Sequence, residues 1–241
     1  IHVPNREPKQ SRAQRTQLVL DLSREDVCNE IIRMLSDILG SAPISYVKWD
    51  MNRGLSDLGS AKLQSNKQRE ISHRYVLGLY HILETITSKF PEVLFESCAS
   101  GGGRFDPAML YYMPQTWTSD DTDAIERLKI QYGTSFVYPA SSMGSHISAC
   151  PNHQVGRTTS LETRGNVAMS GNFGYELDLT KFSDEEREIV KAQVARYKEI
   201  RHIIQYGEFY RISSPFEGNE TSWIYVAEDK SEAVAFYFKS F

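Results

Sequence analysis

Two patterns of apolar residues alternate along the chain: short β-prone runs, and longer stretches in which apolar positions recur three and four apart. Residues 18–22 (LVLDL) predict a strand. Ser23, followed by Glu25 and Asp26, then predicts the start of an amphipathic helix through Ile31, Ile32, Leu35 and Ile38 that Gly40 closes. A second strand follows Pro43 and ends on Asp50; a Gly/Ser-rich loop over 54–65 leads to a helix over about 68–89, with Tyr75, Leu79, Ile82, Leu83 and Ile86 on one face. Further strands are predicted at 93–98, 116–119, 135–138 and 166–170. Helices are predicted over about 123–132 and, capped by Ser183, through Arg201. Strands that alternate with helices argue for a parallel sheet with crossover connections.

After residue 207 the helices stop. Residues 208–212, 222–226 and 233–238 read as consecutive strands, the beginning of an antiparallel β domain. The expected division is therefore 1–206 and 207–241. No repeat of solenoid period and no low-complexity tract interrupts it.

Composition narrows the function classes. With 241 residues, 40% of them hydrophobic and 24% charged, the chain can bury a substantial core. Its net charge of −4, with Lys and Arg scattered, gives no general attraction to nucleic acid or to an anionic membrane. No apolar run approaches the roughly 20 residues that span a bilayer. The first residues lack a basic-then-apolar signal pattern, although the chain begins without Met, so that reading covers only the residues given. Cys28, Cys98 and Cys150 lie far apart without CxxC spacing, which predicts neither a disulfide framework nor a zinc site and suits a reducing cytoplasm.

The chemistry gathers where strands end on carboxylates. Asp50 closes the run Tyr46, Val47, Lys48, Trp49, and in a barrel of parallel strands that C-terminal mouth is where catalytic groups stand. The alternative for a lone strand-end Asp is a turn cap. Trp117-Thr118-Ser119 runs likewise into Asp120, Asp121 and Asp123. The spacing from Asp50 to Asp120 equals about two β-α units of a barrel that spends ~250 residues on eight. One ionised and one protonated carboxylate about 5–5.5 Å apart are what retaining glycoside hydrolysis requires. Asp123 is better placed to cap the following helix. A magnesium site is the rival reading of the Asp cluster, but there is no DDxxD array, no GxxxxGK[ST] loop and no GxGxxG pattern. Gly101-Gly102-Gly103 suits a close backbone approach to a ligand or a tight strand-to-helix turn. His146 and His153 read as polar loop residues, and no sequence feature pairs Cys98 with a catalytic base. Trp49 and Trp117 suit either sugar stacking or core packing.

Three segments in order, 48–53 (KWDMNR), 96–106 (ESCASGGGRFD) and 117–124 (WTSDDTDA), resemble the α-galactosidases of glycoside hydrolase family 36. Gly144-Ser145-His146 and the stretch from Arg164 to Glu176 are similar too, so that the likeness covers nearly the whole chain. The resemblance implies the latter part of a (β/α)8 TIM barrel, about strands 3 to 8, and then the start of a C-terminal antiparallel β-sandwich. It implies a retaining α-galactosidase that needs no cofactor or metal and releases terminal α-galactosyl residues from oligosaccharides such as melibiose and raffinose. Asp50 would be the nucleophile and Asp120 the acid/base, with Asp121 its rival. Lys48, Asn52, Arg15, Cys98 and Gly101 would line the galactose site. It also implies a homotetramer. Family members carry an N-terminal β-sandwich and the first barrel strands, including an acidic pair on galactose, before anything similar to Ile1, so the chain reads as a fragment with about six barrel strands. A galactosyl-transferring relative of the raffinose-synthase type, using the same two aspartates, and a noncatalytic fragment of a larger glycosidase are the alternatives.

Overall fold

A computed structural model describes residues 18–55 and 58–240, which fall into two compact units. The first holds helix α1 (Glu25–Ser41), strand β1 (Tyr46–Asp50), helix α2 (Ile71–Lys89) and strand β2 (Leu94–Cys98). β1 and β2 pair in parallel with Lys48 opposite Glu96 and Asp50 opposite Cys98. The covering helices obey the apolar spacing: α2 buries Ile71, Tyr75, Leu79, Ile82, Leu83 and Ile86, and α1 packs against it.

Two expectations for this unit need correction. Residues 18–22 form no strand; Leu18 and Leu20 are exposed and only Leu22 is buried. Asp21 there makes a local turn instead, its carboxylate accepting from the amide and hydroxyl of Ser23. That bond also removes Ser23 as the cap of α1, which begins at Glu25 with Arg24 in the cap position and continues through Gly40. A short apolar, β-prone run satisfies a strand's composition, but the self-bonding of Asp and Ser decides for the turn.

In the second unit, β3 (Gln115–Trp117), β4 (Met143–Ser148) and β5 (Asn172–Glu176) form parallel neighbours, with β3 paired to β4 and β4 to β5. Helix α3 (Pro107–Tyr112) precedes β3, while α4 (Ala124–Thr134), α5 (Leu161–Ala168) and α6 (Asp184–Tyr206) follow β3, β4 and β5. Ser183 caps α6 through a full capping box with Glu186. Then come β6 (Glu208–Ser213), β7 (Glu220–Val226) and β8 (Ala233–Lys239), an antiparallel sheet in sequence order. One apolar core joins α4, β4, α5 and α6 to this sheet through Leu128, Met143, Val167, Ile203, Trp223 and Tyr225. The buried Tyr225 hydroxyl donates to the Ser170 carbonyl at 2.7 Å, which satisfies a polar atom inside that core.

The strands expected at 135–138 and 166–170 are absent. Phe136 and Val137 lie exposed in the turn after α4, and 166–168 are the last residues of α5. β4 and β5 occupy segments with little apolar pattern. A Cβ on Gly174 would lie 2.8 Å from the His146 ring, and one on Gly144 would lie 3.1 Å from the Thr116 carbonyl oxygen. Close packing between strands selects small residues there, against β propensity. Five parallel strands, rather than about six, are therefore found among the described residues.

Candidate active site

In the first unit the candidate residues collect at the carboxyl ends of β1 and β2. Asp50 is the last residue of β1, and the ladder continues one step further, Met51 N–H donating to the Cys98 carbonyl at 2.8 Å. The Asn52 amide folds back and donates to the Asp50 carboxylate. Lys48 shares the face of Asp50 by strand alternation, and its ammonium lies 3.7 Å from the carboxylate of Glu96 on β2. Glu96 is fully buried and accepts a hydrogen bond from the Tyr46 hydroxyl. Burial raises the Tyr46 phenol well above its ordinary pKa, and the Glu96 contact adds to the rise. Tyr46 therefore stays a neutral donor, and the Glu96 carboxylate is held by a hydroxyl on one side and a cation on the other. The sequence reading gave Tyr46 and Glu96 no role; the available signal was a lone acid inside an apolar strand.

In the second unit the candidate residues sit just beyond β3. Thr118, Ser119 and Asp120 leave the strand end, and residues 101–102 pass directly beside them. The Gly102 amide donates to the Thr118 carbonyl at 3.2 Å. Gly101 has φ +83°, and a Cβ there would stand 2.6 Å from the Cα of Ser119. Its lack of a side chain thus admits the backbone that carries Asp120.

The three acids beyond β3 differ in engagement. Asp123 is buried, caps α4 by accepting from the amides of Ile125 and Glu126, and pairs with Arg157. Asp121 uses a carboxylate oxygen to accept the Asp123 amide at 3.0 Å. Asp120 is half-buried, and its carboxylate has no hydrogen bond or ion pair among the described residues. Beneath the loop, Arg127 is buried over the face of Trp117, 4.7 Å from the ring centre, and donates to the Ser119 and Gly144 carbonyls. Burial lowers its guanidinium to about 10, against the opposing pull of Asp121 and Glu176, so it remains charged at neutral pH. Gln131 extends this network to Ser145 and Ser170. Sequence reasoning missed Arg127, whose burial has no signature in a helix that also carries Glu126 and Lys129.

The remaining candidates resolve as follows. Trp117 is buried between Arg127 and His146 and belongs to the core. His146 lies within β4 rather than in a loop, 3.8 Å from the Glu176 carboxylate. Cys28, Cys98 and Cys150 form no disulfide with one another, and the first two are buried. Arg15 lies outside the described residues. Among the described residues no three His, Cys, Asp or Glu side chains converge as metal ligands do, and no helix is long and apolar enough to cross a membrane.

Comparison with known proteins gives this arrangement a context. The Melibiase family model matches residues 1–207. The chain is 63% identical over 239 residues to α-galactosidase AgaA of Geobacillus stearothermophilus, covering 99% of this chain and 32% of that protein. It is 52% identical to α-galactosidase 1 of Pediococcus pentosaceus over 99% of this chain and 32% of the relative. The chain thus spans about a third of the length of these relatives. The crystal structure of AgaA, described as a GH36 α-galactosidase, superposes with a TM-score of 0.95 over 99% of this chain and 33% of its own. Variants of that enzyme have been crystallised with raffinose and with stachyose. The fold is accordingly an incomplete (β/α)8 barrel with parallel strands, followed by an antiparallel sheet. By sequence over most of its length and by fold over nearly all of it, the chain belongs to the Melibiase family.

Proposed function

We propose that this chain carries the two catalytic carboxylates of a retaining α-galactosidase that removes terminal α-galactosyl residues from oligosaccharides of the melibiose and raffinose type. The observation that carries the reading is the contrast among the strand-end acids: Asp123 and Asp121 are consumed by local hydrogen bonds, Asp120 is not, and Asp50 is approached by the Asn52 amide. Further support comes from the AgaA complexes, in which the aspartates replaced for raffinose and for stachyose stand as far apart in the chain as Asp50 and Asp120 do.

In this mechanism the Asp50 carboxylate attacks the anomeric carbon while Asp120 gives its proton to the departing glycosidic oxygen. Asp120 then takes a proton from water, whose oxygen attacks the same carbon and frees Asp50, so the configuration is retained. Lys48, Asn52, Cys98, Gly101 and Arg15 bind the galactosyl hydroxyls or shape their pocket. Residues 1–206 form the catalytic barrel segment and 207–241 begin the β domain.

The test is release of nitrophenol from 4-nitrophenyl α-galactoside by the whole protein, with Asp50→Ala alongside. Turnover is expected to fall by about 10⁴-fold or more, with an unchanged circular dichroism spectrum. Near-normal turnover in the variant would sink the mechanism.

A further inference from the structure

The geometry points to Gln154 as a positioning residue for the acid/base carboxylate Asp120, an inference that rests on the α-galactosidase reading above. Asp120 makes no side-chain hydrogen bond among the described residues, so no hydrogen bond there fixes its carboxylate directly and the placement of its backbone carries through to it. That backbone is gripped from outside the loop. The Gln154 amide nitrogen donates to the Asp120 carbonyl, and its oxygen accepts the Thr122 N–H at 2.9 Å. One side chain therefore bonds the peptide groups on both sides of Asp121, and rotation of the Asp120–Asp121 peptide has to break its contact with Gln154.

Gln154 is itself anchored. Asn152 is buried, with 5% of its surface exposed; its carbonyl oxygen accepts the amides of Gln154 at 2.9 Å and Val155 at 3.1 Å. Its amide nitrogen donates to the Thr122 hydroxyl at 3.0 Å. The turn closes on itself through Asn152 N–H to the Arg157 carbonyl and Gly156 N–H to the Asn152 carbonyl, and Arg157 pairs with Asp123. The segment from Asn152 to Arg157 thus acts as a brace against the acid-bearing loop at Asp120, Thr122 and Asp123. A misplacement of about 1 Å at a reacting group can cost about 10²-fold in rate, so loosening this brace should appear in the step that needs Asp120.

Leaving groups separate that role from a merely structural one. General-acid help matters for a poor alkyl leaving group and little for an activated aryl one. In the whole protein, Gln154→Ala and Gln154→Met, the second of which fills the same space without hydrogen bonds, should lower kcat/KM for methyl α-galactoside by about tenfold or more. They should lower it by less than about threefold for 4-nitrophenyl α-galactoside, and Asp120→Ala, run beside them, should show the same selectivity in stronger form. If Gln154→Ala loses cooperative unfolding, Gln154→Met carries the comparison. Equal losses on both substrates, or none, while Asp120→Ala remains selective would overturn the role of Gln154 and leave the α-galactosidase reading intact. Absence of selectivity in Asp120→Ala would overturn that reading and this inference together.

Discussion

Gly101 and Gly133 carry the same side chain and should answer the same substitution with opposite signs. A Cβ on Gly101 would meet Ser119 Cα at 2.6 Å and Asp120 N at 3.2 Å, and the residue holds φ +83°. Gly101→Ala therefore incurs left-handed strain of about 1–2 kcal/mol and must also displace the backbone that carries Asp120. Gly133, exposed near the end of α4, has nothing within 4 Å of its would-be Cβ. Gly133→Ala should stabilise by about 0.5–1 kcal/mol by restoring helix propensity. Denaturant midpoints read both, and equal responses would refute the close-approach argument. What the sequence made legible at this scale is position: Asp50 ends β1, Asp120 follows the end of β3, and Asp123 caps α4. Glu96, Arg127 and Gln154 were not legible, because their significance comes from burial or from partners tens of residues away, which local pattern does not encode.

Elements became legible where one physical demand dominated. α2 and α6 have clean apolar spacing, and Ser183 with Glu186 writes the start of α6 directly into the chain. Ser183→Ala should cost about 1 kcal/mol and fray the first turn of α6, visible as faster hydrogen exchange at the amides of 185–187. Unaltered exchange there would show that tertiary packing alone holds that end. The strands past β3 were misplaced because two demands conflicted. Tyr132, Phe136 and Phe216 form an aromatic cluster, with Arg211 over the Phe136 ring, at the turn after α4. That cluster gives residues 135–138 a strand-like composition without a strand. β4 and β5 need small and polar residues so that neighbouring strands can approach, Ser145 can donate to Gln131 on α4, and His146 can lie 3.8 Å from the Glu176 carboxylate, which removes the hydrophobic signal by which a strand is read.

Across the whole molecule, charge is distributed so that few ion pairs matter. The chain carries 27 Lys and Arg against 31 Asp and Glu, and most pairs among the described residues join exposed side chains a helical turn apart, as Arg33 with Glu30 and Asp37, or Lys191 with Glu188. Such pairs contribute about 0.2–0.5 kcal/mol each and are screened by salt. Two pairs among the described residues have a fully buried acid: Glu96 with Lys48, and Asp123 with Arg157. In the second, the carboxylate keeps its two capping amides if the cation is removed, so the loss is that of a charged hydrogen bond rather than of a stranded ion. Arg33→Ala should therefore shift the unfolding free energy by less than about 1 kcal/mol, fading further in concentrated salt. Arg157→Ala should lower it by about 1.5–3 kcal/mol and hold that loss as salt rises, since Asp123 is shielded from the ions that do the screening. Equilibrium unfolding of the two variants at low and high salt measures both. If Arg157→Ala proved as mild and as salt-sensitive as Arg33→Ala, the ion pair would not fasten the acid-bearing loop beyond β3, and the hold of the Asn152 to Arg157 segment on that loop would rest on the Gln154 and Asn152 side chains.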